Sequence, residues 1–142
     1  MFDHPLLDFG ERCAQAGFVT ISAREELWQA IGAEERTCSP ADDPTEGVLS
    51  VDKIGPGRWD GWRGRIATVS VSLAVGPEQV DAEQQEVVRE MSTVFGEPHV
   101  LAGHRDSVYR WPLERFTIEL SIDGVERNRV ELTVADAELL PR

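Results

Sequence analysis

The chain has 142 residues, with 26 acidic against 14 basic ones and a net charge of −12. That length is expected to build one core and bury roughly two-thirds of the unfolded surface. The acidity opposes unaided binding to DNA, RNA or an anionic membrane, because affinity for phosphate comes from Lys and Arg.

No apolar run approaches the roughly 20 residues of a spanning helix, and Met1-Phe2-Asp3-His4 lacks the basic and apolar regions of a secretion signal. A single cytoplasmic domain over residues 1–142 is the expectation. Cys13 and Cys38 are too few for a disulfide framework and are read as reduced thiols. Charge is unevenly spread: residues 1–50 hold ten acids against three arginines, a balance of −7, whereas 51–76 hold two acids against Lys53, Arg58, Arg63 and Arg65, a balance of +2.

In chain order, Pro5 opens a helix with Asp3 or His4 at its cap, carrying Leu6, Phe9, Cys13 and Ala16 at helical spacing and stopping at Gly17. Ser22 and Glu25 have capping-box spacing ahead of a second helix, with Leu27, Trp28 and Ile31 inward and Gly32 as its stop. Glu34 to Gly47, with Pro40, Asp42, Asp43 and Pro44, reads as an exposed loop that includes a short strand at Arg36 to Cys38. Val48 to Val51 is a brief strand. The passage Lys53 to Arg65 holds four glycines, two tryptophans and three arginines, and reads as a Gly-rich loop. Ile66 to Val75 alternates as a strand, with Val69, Val71, Leu73 and Val75 on one face.

Pro77 to Gly96 carries the clearest helical signal. Val80, Val87, Val88, Met91, Val94 and Phe95 fall on one face, Pro77 suits the first position, and Gly96 with Pro98 ends it. Gln84 interrupts the apolar face and needs a hydrogen-bond partner there. Glu83, Glu86 and Glu90 form a carboxylate stripe on its flank. The remainder reads as a meander: Val108 to Trp111, a turn at Pro112-Leu113-Glu114, Arg115 to Ile122, and a last strand with Val130, Leu132 and Val134 inward. A three-residue loop, Asp123 to Val125, sets Ile118 opposite Val130, Phe116 opposite Leu132 and Glu119 opposite Arg129. Asp136 caps a terminal turn with Leu139 and Leu140. The resulting expectation is an α+β fold: an antiparallel sheet of about five to six strands with an N-terminal α-hairpin and one long central helix packed on one face.

The motifs of phosphate loops, nucleophile elbows and zinc helices are missing. His99, His104 and Asp106 have metal-ligand chemistry but read as a solvated loop, Cys13 lies on an apolar helix face, and no cofactor or metal is expected. The feature with a functional reading is the Arg-Trp passage, because Trp and Arg dominate the energetics of interfaces. Arg58, Trp59, Trp62, Arg63 and Arg65, together with Glu83, Glu86 and Glu90, are therefore the candidate partner- or ligand-binding residues. The competing reading folds Trp59 and Trp62 back over the sheet edge and pairs the arginines with local acids.

The segments Val94-Phe95-Gly96-Glu97-Pro98, Tyr109-Arg110-Trp111, Phe116-Thr117-Ile118-Glu119-Leu120 and Val130-Glu131-Leu132 resemble small actinobacterial proteins of unknown function, some of which are similar to polymorphic-toxin immunity proteins. That resemblance covers roughly the C-terminal third and identifies no catalytic residue. In size, acidity and element order the chain is also similar to type III secretion chaperones, which implies a homodimer. The expected function is a non-enzymatic protein-binding domain, immunity-type or chaperone-like, that covers a basic partner such as a toxin or secreted effector. The alternative is a small-ligand-binding protein or enzyme with an Arg/Trp-lined pocket near residues 58–65, where Arg58, Arg63 or Arg65 receives an anionic group.

Overall fold

A computed structural model of the chain describes residues 4–39, 44–102 and 106–138. Asp3, Pro40, Asp42, Asp43, Gly103, His104, Leu139 and Leu140, to which the sequence reading gave loop, cap, ligand or turn roles, lie outside those residues. The elements run α1 (Pro5–Ala16), a 3₁₀ turn (Ile21–Ala23), α2 (Arg24–Ile31), β1 (Ala33–Ser39), β2 (Glu46–Val51), β3 (Gly55–Trp62), β4 (Arg65–Ala74), α3 (Val80–Phe95), β5 (His99–Leu101), β6 (Val108–Pro112), β7 (Phe116–Asp123) and β8 (Arg129–Asp136). All eight strands form one antiparallel sheet in the order β1-β2-β3-β4-β8-β7-β6-β5.

The expected sheet of about five to six strands with one long helix is thus corrected to eight strands with three α-helices. The additional strands are β3 and β5, whose sequences carry no apolar alternation, and the short strand expected at Arg36 to Cys38 lengthens into β1. β1 is a charged edge strand with an irregularity between Glu35 and Thr37, a composition and shape that discourage further pairing at a sheet edge. β5 closes the other edge with three residues. β3 contains most of the supposed Gly-rich loop. Its Trp59 pairs directly with Gly47 of β2, and a Cβ at Gly47 would fall on the Trp59 indole nitrogen and within 2.7 Å of the Thr37 carbonyl oxygen. Glycine is required there so that the indole can lie over the neighbouring strand, an aromatic side chain covering a gap that glycine leaves.

The helices cover one face of the sheet. α1 touches both α2 and α3 and packs on β8, α3 packs on β7 and β8, and α2 on β1. Leu6, Phe9 and Cys13 of α1, Val87 and Met91 of α3, and Val69, Val71, Ile118, Leu120, Leu132 and Val134 of the sheet are all buried in one core. His4 caps α1: its Nδ1 accepts from the Leu6 amide at 3.1 Å, so Nε2 carries the proton and donates to Glu83 Oε1 at 2.8 Å. α1 is thereby tied to α3. Among the described residues no helix is long and apolar enough to cross a membrane.

Four further local expectations change. α3 starts at Val80, because Pro77 to Gln79 form a preceding turn in which the Gln79 amide bonds to the Gly76 carbonyl. Ser22 sits in the 3₁₀ turn, where its hydroxyl meets Thr20, so the capping box does not form. Val94 is exposed and Phe95 half-buried, leaving Val80, Gln84, Val87 and Met91 as the buried face of α3. The β7–β8 register sets Ile118 opposite Val134, Leu120 opposite Leu132, Ile122 opposite Val130 and Phe116 opposite Asp136. The last strand is therefore displaced by four residues from the three-residue-loop register. An even displacement keeps every apolar residue facing the core, so alternation alone cannot distinguish the two. Glu119 lies opposite Thr133 and ion-pairs with Arg110 of β6 rather than Arg129.

Candidate functional site

The structure distributes the Arg-Trp passage over both faces of the sheet. Trp59 is fully buried, 6.1 Å from the Trp28 ring and beneath the Arg24 guanidinium. The same guanidinium donates to Glu35 at 2.7 Å, and Trp28 Nε1 donates to Glu35 at 3.0 Å. Burial pushes the Glu35 carboxyl up, but the hydrogen bonds from Arg24 and Trp28 outweigh it and hold the group below its ordinary range. Trp62 and Arg63 stand at the β3–β4 turn, where Trp62 is 54% exposed and the Arg63 guanidinium lies over its ring. Arg65 reaches Asp136 at 3.6 Å, on the helix side of the sheet. Arg58 projects from the opposite side, 4.0 Å from Glu131. Arg58, Arg63 and Arg65 therefore have separate surroundings.

The carboxylates on α3 also differ among themselves. Glu83 is held by His4. Glu86 is exposed and Glu90 half-buried, and neither is in an ion pair among the described residues. Glu25 and Glu26 of α2 are exposed and in no ion pair among the described residues, Glu25 lying within reach of the charge of Arg24. Gln84, buried in the apolar face, donates to the Ser107 carbonyl at 3.4 Å, which supplies the partner its position required. Asp106 receives the Arg127 guanidinium at 2.7 Å, alongside Asp81 at 2.8 Å, and no metal-holding group occurs among the described residues. Cys13 is buried, which pushes its thiol up and away from nucleophilic use.

Antiparallel pairing assembles one site with no local signature. On the sheet face opposite the helices, β3, β4, β8 and β7 bring Arg58, Ser70, Ser72, Glu131, Arg129 and Asp123 around a shallow depression of about 240 Å³ that Pro56 and Gly57 also line. Ser72 lies opposite Glu131 in the ladder and donates to it at 3.4 Å. Arg129 lies opposite Asp123, yet its Nη1 is buried without a hydrogen-bond partner. An unsatisfied buried donor costs on the order of 1–3 kcal/mol, and more when charged. Burial, reinforced by the nearby charge of Asp123, pushes the Glu131 carboxyl up, with Arg58 opposing. Of these residues only Arg58 stood among the sequence candidates. The signal for the others was the register, since Glu131 meets Ser72 only once β8 is known to pair with β4.

A larger cavity of about 410 Å³ lies between α1, α2 and the β2–β3 turn, with Phe9, Ile31 and Val51 in its wall. Of the two cations in its lining, Arg12 is held by Asp8 at 2.9 Å, and Lys53 stands beside Asp52. Compared with protein-family profiles, with curated proteins and with solved structures, the chain matches none of them.

Proposed function

We propose that the protein is a non-enzymatic binding domain whose helical layer covers a basic protein partner. The observation that supports this reading is where the charges go. Arg12, Arg24, Arg36, Arg58, Arg65, Arg110 and Arg127 each ion-pair within the molecule. The acidic excess is therefore left on the surface, where Glu26, Glu86 and Glu90 on the helices carry it without an ion pair among the described residues and Glu25 has only the more distant charge of Arg24. Unpaired carboxylates on a rigid layer attract a cationic surface at long range and raise its association rate. Covering a toxin or secreted effector is the immunity-type or chaperone-like form of this function.

The test is to mix the purified protein with basic protein products encoded beside it and to follow complex formation by calorimetry over a salt series. A stoichiometric complex that weakens as salt rises is expected. Glu25→Gln, Glu26→Gln, Glu86→Gln and Glu90→Gln combined should slow association several-fold without lowering stability. Absence of any complex, or a complex indifferent to both salt and these substitutions, would refute the reading.

A further inference from the structure

Beyond the helical layer, we infer that the depression on the opposite face of the sheet is a binding site for a small zwitterion of the α-amino-acid type, its carboxylate accepting from Arg129 and its ammonium donating to Asp123 and Glu131. The cationic half of the site lacks an acceptor, and the anionic half is held only loosely by its cation. Arg129 Nη1 is a buried donor with nothing to donate to, although Asp123 stands directly opposite in the ladder. Glu131 faces Ser72 at 3.4 Å and Arg58 only at 4.0 Å, a separation too long for a hydrogen bond. Two carboxyl groups drawn together beside a guanidinium that neither of them satisfies are suited to a guest carrying both charges. The guest's cation relieves the crowding of the carboxyls, and its anion supplies the acceptor that Arg129 lacks.

Size narrows the ligand class. At about 240 Å³ the depression lies below the range typical of drug-sized pockets and suits a molecule of amino-acid dimensions. A purely anionic guest would meet Asp123 and Glu131, and a purely cationic one would meet Arg58 and Arg129. Each therefore engages half of the site and is repelled by the other half. The site makes no use of Glu25, Glu26, Glu86 or Glu90, so it stands or falls separately from the partner-binding surface.

The experiment is an amide-resolved NMR titration of the full chain with each proteinogenic α-amino acid at millimolar concentration, with propionate and n-propylamine as half-ligands. One or more amino acids should shift the amides of Ser70, Ser72, Arg129 and Glu131 saturably, at least about tenfold more tightly than either half-ligand. Arg129→Met removes an unpartnered buried donor, so it should fold as well as the parent or better while abolishing these shifts. Glu131→Gln should weaken binding at least about tenfold and provides the second variant should the first fail to fold. If no amino acid moves these amides, or if either half-ligand binds as tightly as the best amino acid, the inference is overturned.

Discussion

Trp59→Ala separates a core role for the Arg-Trp passage from a surface one. The indole is fully buried, packed against Trp28 and lying over Gly47. A tryptophan buries on the order of 200 Å², and at about 25 cal/mol/Å² that area is worth about 5 kcal/mol. Partial collapse of the neighbours and release of the unpartnered Trp59 Nε1 reduce this, so the expected loss is about 3–5 kcal/mol, in line with large-to-small core substitutions. For a domain whose whole stability is of the order of 5–15 kcal/mol, that is about a fifth or more. With a urea slope of about 2 kcal/mol/M the midpoint should fall by roughly 2 M. Trp62, 54% exposed and stacked only on Arg63, should lose less than about 1 kcal/mol on Trp62→Ala, a midpoint shift under roughly 0.5 M. Trp59→Phe keeps the ring and forfeits no hydrogen bond, so it should lie between the two. Urea titrations followed by circular dichroism measure all three. Equal shifts for Trp59→Ala and Trp62→Ala would refute the burial of Trp59 and with it the β2–β3 pairing.

Two glycines should respond in opposite senses. A Cβ on Gly10, inside α1, meets Leu132 Cδ2 at an ordinary 3.5 Å, so Gly10→Ala should stabilise by about 0.5–1 kcal/mol; Gly47→Ala strikes Trp59 and the Thr37 carbonyl and should destabilise by at least about 1–3 kcal/mol. Thermal melts of both variants check this, and a harmless Gly47→Ala would contradict the seating of the indole. Glu131→Gln should show a pH-dependent gain. Because its folded pKa is raised, Glu131 imposes no penalty at pH values where it is protonated in both folded and unfolded chains, and imposes its full penalty once pH exceeds the folded value. The stability advantage of Glu131→Gln over the parent should therefore grow from pH 4 to pH 7, and a constant or shrinking difference in melting temperature would count against the crowding of Glu131 by Asp123.

How much of this was legible depends on the range of the interaction that specifies each element. The helical period set out α1, α2 and, of the expected α3 face, Val80, Val87 and Met91 but not the exposed Val94, and the alternation of Val69 and Val71, or of Phe116, Ile118 and Leu120, marked strands whose two faces differ in burial. Stops at Gly17, Gly32 and Gly96 were equally local, because a helix end needs only its own residues to terminate. The need of Gln84 for a partner could be stated from its place on the apolar face; that the partner is the Ser107 carbonyl could not.

By itself, then, the sequence determined the acidic balance, the amphipathic helices and the central alternating strands, since each follows from the chemistry of residues close together in the chain. Only the tertiary structure decided that β3 and β5 join the sheet and that the short strand at Arg36 to Cys38 extends over the whole of β1. Their backbone groups are satisfied by neighbouring strands rather than by any pattern of their own, and Gly47 makes room for Trp59 from a different strand. It also decided the β7–β8 register, where a displacement by an even number of residues leaves the same side chains inward and only packing against the helices distinguishes the alternatives. The cluster of Arg58, Ser72, Asp123, Arg129 and Glu131 belongs wholly to that second level: its members come from four strands, and no spacing along the chain relates residue 58 to residue 131.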